Sequence, residues 1–198
     1  MKTIEHEKKM LLSLSEYSAL FEALSGSGTL TTHVNHYYDT PDLDGNANGI
    51  TYRIREKNGK FTATVKSHHT VGADGSIEAS SEVESPFDTS FFTVSDLSYR
   101  GCMTTERLTV CPCEGIELAL DKNRYFHFTD YELEVEYSEN VEDEVETVLR
   151  NILNVLRMND IPTSFLSLVC RLNMSQSKSE RFFAKEAQLE REEECPPL

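Results

Sequence analysis

Residues Asp130-Tyr131-Glu132-Leu133-Glu134-Val135-Glu136 alternate between acidic and apolar side chains, with Tyr137 extending the apolar set. Successive side chains of an extended strand point to opposite faces. Glu132, Glu134 and Glu136 therefore share one face, while Leu133, Val135 and Tyr137 take the other. The same two-sidedness recurs upstream. Arg53 and Arg55 stand against Tyr52 and Ile54, and Thr62, Thr64 and Lys66 against Phe61, Ala63 and Val65. Glu82 and Glu84 flank Val83, Arg107 and Thr109 oppose Leu108 and Val110, and Glu117 and Asp121 oppose Ile116, Leu118 and Leu120. At the start of the chain Glu5, Glu7 and Lys9 share a face. Solvated strands carry a pair of charges at i, i+2 by chance, so any one pair means little. Solvated faces also mix signs, however, and here acids alone occupy 132–136 and bases alone 53–55.

Around this core of strands the chain changes period. Ser13-Leu14-Ser15-Glu16 has the form of a capping box, and Tyr17, Leu20, Phe21 and Leu24 follow at helical spacing until Gly26 and Gly28. Val141, Val145, Val148, Leu149, Ile152, Leu153 and Leu156 form one apolar stripe, with Glu142, Asp143, Glu144 and Glu146 loading the first turns, where a helix dipole favours acids. This pattern predicts a helix over about 141–158. Between Thr29 and Tyr137, stretches rich in β-formers are broken by glycine and proline, which reads as antiparallel strands rather than βαβ units. The fold class is therefore α+β. If the two helices cover the oily side, the charged faces converge when the sheet curls and closes, giving a barrel with a polar lumen.

Such a lumen would gather Glu5, Glu7, Glu82, Glu84, Asp121, Glu132, Glu134 and Glu136 with Lys9, Arg53, Arg55, Lys66 and Arg107. Desolvating bare charges costs several kcal/mol per ion unless partners are supplied, so the lumen implies ligands. Paired carboxylates suit hard divalent cations such as Mg²⁺ or Mn²⁺. Arginine and lysine match phosphate oxygens instead, arginine as a planar fork and lysine as a point charge. Acids and bases in one tunnel point to a metal-polyphosphate.

Composition narrows the class further. Of 198 residues, 34 are acidic and 19 are Lys or Arg, a net charge of -15, which argues against a nucleic-acid partner because such affinity rests on a basic face. The 38% apolar content, with ten Phe and eight Tyr, suffices for one ordinary core. No apolar run approaches the ~18 residues of a membrane span. The opening Met1–Glu7 lacks the long apolar region of a secretion signal, so the expected address is the cytoplasm, with no membrane partner. Five cysteines, an odd number, are expected to be reduced thiols, and the single spacer in Cys111-Pro112-Cys113 fits neither zinc nor redox spacing well. Asp44-x-Asn46-x-Asn48-Gly49 opens like a calcium loop, but position twelve is Arg55, so turn chemistry is the better account.

Glu5-x-Glu7-x-Lys9 resembles the opening signature of the CYTH superfamily, the triphosphate tunnel metalloenzymes, which groups class IV adenylate cyclases, thiamine triphosphatases and inorganic triphosphatases. The order of further motifs strengthens the resemblance. His36-Tyr37-Tyr38-Asp39-Thr40-Pro41 is similar to its tyrosine-rich stretch, Arg53-Ile54-Arg55 to its R-x-R strand, and Lys66 to its strand lysine. Glu82-Val83-Glu84 resembles its central E-x-E, Arg107 its later arginine, 130–136 its closing acidic strand, and Ser177-Lys178-Ser179-Glu180-Arg181-Phe182 its C-terminal motif. The likeness spans about residues 2–183, leaving 184–198 as a polar tail.

The resemblance implies an eight-stranded antiparallel tunnel barrel with helices packed outside, gripping a triphosphate with bases while acids hold Mg²⁺ or Mn²⁺. Glu5, Glu7, Glu132 and Glu134 would be metal ligands, with Glu82, Glu84 and Asp121 orienting bases or serving a second cation. Lys9, Arg53, Arg55, Lys66, Arg107 and Lys178 would bind phosphates, and Glu5, Glu7, Lys9 and Glu134 would form the catalytic set. The expected function is a triphosphate phosphohydrolase acting on inorganic or organic triphosphate. Formation of cyclic AMP from ATP, hydrolysis of thiamine triphosphate and polyphosphate binding without turnover are the alternatives. The oligomeric state is left open, a homodimer included.

Overall fold

A capping box at residue 13, an apolar stripe from 141 and strands of strict period two set the element order of the chain. The computed structural model describes residues 6–71, 77–86, 96–172 and 176–194, with 68–71, 77–86 and 193–194 described as backbone only. Its elements are β1 (His6–Leu12), α1 (Leu14–Leu24), β2 (Thr29–Asp39), the single turn α2 (Asp44–Ala47), β3 (Ile50–Lys57), β4 (Lys60–Val71) and β5 (Ile77–Pro86). They continue with β6 (Ser98–Cys113), β7 (Ile116–Tyr125), β8 (Phe128–Tyr137), α3 (Glu142–Met158), α4 (Phe165–Leu172) and α5 (Lys178–Glu194). The described chain forms two units, one of Met1–Thr32 with Thr105–Ser175 and one of His33–Thr104 with Gln176–Leu198.

In the first unit the strand order is β1-β8-β7-β6. β8 pairs antiparallel with β1 and with β7, in a register that sets Lys9 opposite Glu134 and Asp121 opposite Glu132. Directly opposed residues share a face, so the acid row of β8 continues onto both neighbours. The other face buries Met10, Leu108, Leu118, Leu120, Leu133 and Val135 against Leu20 of α1, Leu149, Ile152 and Leu156 of α3, and Leu168 of α4. Each such side chain contributes about 1.5–3 kcal/mol on burial. Both helices expected over the oily face are therefore there, with bounds within a residue of those predicted for α3.

The apolar patch at 165–169 proves to be a helix, α4, with Leu168 fully buried. Its Arg171 reaches α1, where Nη1 donates to Glu16 Oε1 at 2.6 Å and Nη2 to Glu16 Oε2 at 3.0 Å. The same Glu16 closes the capping box: Ser13 N–H donates to Oε2 at 2.7 Å, and Glu16 N–H donates to Ser13 Oγ at 3.3 Å. Burial pushes the Glu16 carboxyl upward, but the Arg171 and Ser13 bonds outweigh it and hold the group below the usual carboxylate range. A depressed carboxyl stabilises the fold above its unfolded pKa, and the contribution is lost as pH falls through the folded value. Arg171→Ala is thus expected to cost about 1 kcal/mol at pH 7, discounted for the half-exposed guanidinium. Urea unfolding should show the difference shrinking as pH falls below the unfolded value of 4.5 and vanishing once it has passed the lower folded one, where wild type has lost the same ion pair.

In the second unit the order is β2-β3-β4-β5. β3 and β4 join through Asn58-Gly59, whose φ values of 53° and 71° are the left-handed pair that a two-residue hairpin turn requires. The segment that opens like a calcium loop is a turn built on Asp39. That fully buried carboxylate accepts from the N–H groups of Thr40 at 2.8 Å, Gly45 at 2.9 Å and Asn46 at 2.8 Å. A Cβ at residue 45 would stand 2.8 Å from Asp39 Oδ1, so only glycine lets the backbone approach this closely.

Register places Asn35, Tyr37, Thr51, Arg53, Arg55, Thr62, Thr64 and Lys66 on one face of β2, β3 and β4. Unlike the helices of the first unit, α5 packs on this polar face. Tyr37 lies 4.6 Å from Phe182 between ring centroids, and Thr51 Oγ1 donates to Ser179 Oγ at 2.9 Å. Phe182 and Phe183 find their apolar surface on the Tyr37 ring. Ser177 and Glu180 form a capping box at its start, with Ser177 N–H donating to Glu180 Oε2 at 2.6 Å and Glu180 N–H to Ser177 Oγ at 3.2 Å. Among the described residues no helix is long and apolar enough to cross a membrane.

Candidate metal centre and phosphate face

The β7–β8 register brings three acids together. Asp121, Glu132 and Glu134 are all buried, and each offers an oxygen within 4.8 Å of the others. Oxygens around an octahedral Mg²⁺ at about 2.0–2.1 Å lie roughly 3–4 Å apart, so a small inward movement converts this cluster into ligands. The donor set is entirely oxygen, which suits a hard cation rather than zinc or copper. The three residues thus fit a divalent ion.

Arg107 on β6 meets the same acids. Its Nε and Nη2 donate to the two oxygens of Asp121 at 2.8 and 2.7 Å, a bidentate fork, and Nη2 also donates to Glu134. Burial opposes its charge, but Glu134 and Asp121 hold the guanidinium protonated beyond its ordinary range. Lys9 is buried, with Nζ 3.7 Å from Glu7 Oε1. Glu136 is half-buried on the acidic face of β8, and its carboxyl is pushed up to about 7 by burial and by the charges of Glu134, Glu7 and Glu117, against the pull of Arg107.

The polar row continues past the acids. Thr105 Oγ1 donates to Asn123 Oδ1 at 2.7 Å, Asn123 Nδ2 to Asp130 Oδ1 at 2.9 Å and Tyr125 OH to Asp130 Oδ2 at 2.7 Å. Asn123 was not singled out from sequence, although the two-residue step from Asp121 already places it on the charged face.

In the second unit Arg53 Nη2 donates to Thr64 Oγ1 at 3.4 Å, and Arg55 Nε donates to Asn35 Oδ1 at 3.0 Å. Burial raises the pKa of the Tyr37 hydroxyl, while the charges of Arg53, Lys178, Arg55 and Arg181 all act on it in the opposite sense. Four cations therefore act on one buried ring. Lys178, at the first position of α5, belongs to this group. Lys66 stands on the same face, opposite Thr51 and Glu82, and Glu84 stands opposite Thr64 in the register. Glu5 lies outside the described residues, as do the side chains of Glu82 and Glu84. The structure thus joins Asp121, Glu132, Glu134 and Arg107 in one cluster, and Arg53, Arg55 and Lys178 around Tyr37.

These features define a class: an antiparallel α+β protein whose strands carry acids and bases on a face separate from an apolar core. Its sequence matches the CYTH domain family over residues 3–165, and the chain belongs to that family. It is 29% identical over 150 residues to YjbK of Bacillus subtilis, named as a candidate triphosphatase, covering 67% of this chain and 77% of that protein. The fold is similar to that of HpAC1 from Hippeastrum, for which a dominant triphosphatase activity is stated, with a TM-score of 0.67, 21% identity, and 93% and 96% of the two chains covered. A protein of Bacillus halodurans, named as a candidate adenylate cyclase, matches with a TM-score of 0.63 and 23% identity over 91% of this chain and 98% of its own.

Proposed function

We propose that this protein is a metal-dependent phosphohydrolase that removes the terminal phosphoryl group of inorganic triphosphate or a related organic triphosphate. The proposal includes closure of the eight strands into a tunnel, with Mg²⁺ or Mn²⁺ as cofactor. The observation that carries it is the buried Asp121-Glu132-Glu134 cluster in a CYTH chain that also presents Arg53, Arg55 and Lys178 together.

Glu132, Glu134 and Asp121 would hold the cation, with Glu5 and Glu7 completing the set. When bound there, such an ion would supply positive charge to phosphate oxygens and to a water nucleophile. Arg53, Arg55, Lys66, Lys178, Lys9 and Arg107 bind the phosphates and offset the charge that develops on equatorial and bridging oxygens during in-line displacement. Arg107, already forked onto Asp121, holds that carboxylate in one orientation. Asp121 thereby serves as both ligand and positioner. No covalent intermediate is required, because positioning and electrostatics suffice for phosphoryl transfer to water.

A panel of inorganic triphosphate, ATP and thiamine triphosphate with Mg²⁺ or Mn²⁺ tests the proposal by its phosphorus products. Orthophosphate released from the chain end supports hydrolysis. Pyrophosphate with a cyclic nucleotide from ATP would instead establish the cyclase chemistry after which some structural relatives are named. Arg55→Ala, which removes a fork for phosphate, is expected to raise KM for triphosphate by about 10- to 100-fold, the effect of losing one or two charge-assisted hydrogen bonds. Steady-state phosphate release at varied substrate checks this value.

A further inference from the structure

The buried side of β2 carries His33, Asn35, Tyr37 and Asp39 in alternation. Asn35 is 1% exposed, and its Oδ1 accepts from Arg55 Nε at 3.0 Å. An arginine Nε can only donate, so this bond fixes the amide: oxygen toward Arg55 and NH₂ away from it. A flipped amide would set donor against donor. The amide nitrogen so placed is buried and has no hydrogen-bond partner. A buried donor left unsatisfied carries a full desolvation penalty, which native structures seldom bear without a use.

The neighbours of this amide are themselves donors. Arg55 is its cross-strand partner, Arg53 lies one step along the same face, and Lys178 joins them around Tyr37. A row made of guanidinium, ammonium and amide donors is completed by an anion with several acceptor oxygens. We infer that the Asn35 side-chain NH₂ donates to a non-bridging phosphate oxygen of the substrate, while its Oδ1 positions the Arg55 guanidinium for the same anion. The inference rests on the triphosphate reading and adds an uncharged donor to the binding set.

Two measurements test it. In full-length ¹⁵N-labelled protein, the Asn35 side-chain amide pair, assigned by its disappearance in Asn35→Asp, is followed as inorganic triphosphate is added without divalent ion. The pair is expected to shift saturably, with the same half-point as Arg55 Nε. In the second measurement, Asn35→Ala is made alone and in the Arg55→Ala background. The single variant is expected to raise KM for triphosphate about tenfold with kcat nearly unchanged, and the double variant to exceed Arg55→Ala by a further factor of several. An Asn35 amide that stays still at saturating triphosphate, or a double variant no worse than Arg55→Ala, overturns the phosphate contact and reduces Asn35 to a prop for Arg55. If the alanine variants do not fold, the wild-type spectra decide alone. A wild-type protein that neither binds nor turns over triphosphate overturns the functional reading and this inference with it, whereas turnover with an unmoved Asn35 amide overturns only the inference.

Discussion

Glu132→Gln is expected to lower triphosphate turnover by about 100- to 1000-fold, the range seen when one preorganised electrostatic group is removed from an active site. Glutamine keeps the volume and one carbonyl acceptor but not the charge, so packing against the strand neighbours is preserved. What is lost is the negative charge of one of the three buried carboxylates whose oxygens stand within 4.8 Å of each other. A second readout separates ion binding from chemistry. Wild type should gain thermal stability on addition of Mn²⁺, because a ligand that binds only the native state stabilises it by RT ln(1 + [L]/Kd). The variant should gain far less. Calorimetry with and without Mn²⁺, beside an orthophosphate assay, makes the comparison. Unaltered turnover together with an unaltered Mn²⁺ response would remove Glu132 from the site.

Arg107→Ala should be the most destabilising single change in the cluster. The guanidinium forks onto Asp121 and also touches Glu134, and both carboxylates are buried. Removing one partner from a buried ion pair typically costs about 3–5 kcal/mol, because the remaining charge stays in a poor medium. For a domain of this size, that corresponds to a fall in Tm of roughly 10 °C. The loss should be largest in chelator and partly recovered by Mn²⁺, since a cation among the acids supplies the positive charge that the variant lacks. Arg107→Lys should sit between the two, with its charge kept but its planar fork lost. Urea unfolding in chelator that shows less than about 1 kcal/mol of destabilisation would mean that Asp121 and Glu134 are solvated well enough to stand without their arginine.

The charged faces were legible because a strand's side-chain period is exact at two, so 132–136 and 53–55 sort themselves without knowledge of neighbours. The α3 stripe was legible for the same reason, at period 3.6. Register was not. Nothing in the order of residues sets Asp121 opposite Glu132, so periodicity alone assigns Asp121 only to the charged face. α4 was hidden because eight residues give too few turns to display a period, and its Ser164 cap, which accepts from Ser167 N–H at 3.1 Å, lacks the glutamate of a capping box. Asn35 lies in Thr31-Thr32-His33-Val34-Asn35-His36, where both faces carry polar groups and alternation is silent. Its importance comes from one cross-strand bond to Arg55. The role of Asp39 was equally hidden, because the three backbone N–H groups that take up its carboxylate come from a turn that no pattern of side chains announces.

That turn has an outcome for how the chain tolerates change in length. The carboxylate of Asp39 is satisfied only if the backbone returns to it at Gly45 and Asn46, so one residue inserted or deleted between 40 and 44 would strand an anion in a dry spot. The hairpin tip at Asn58-Gly59 has no such creditor and should accept extra residues readily. Two loops only a dozen positions apart thus differ in evolutionary latitude, one rigid in its spacing and the other free to drift.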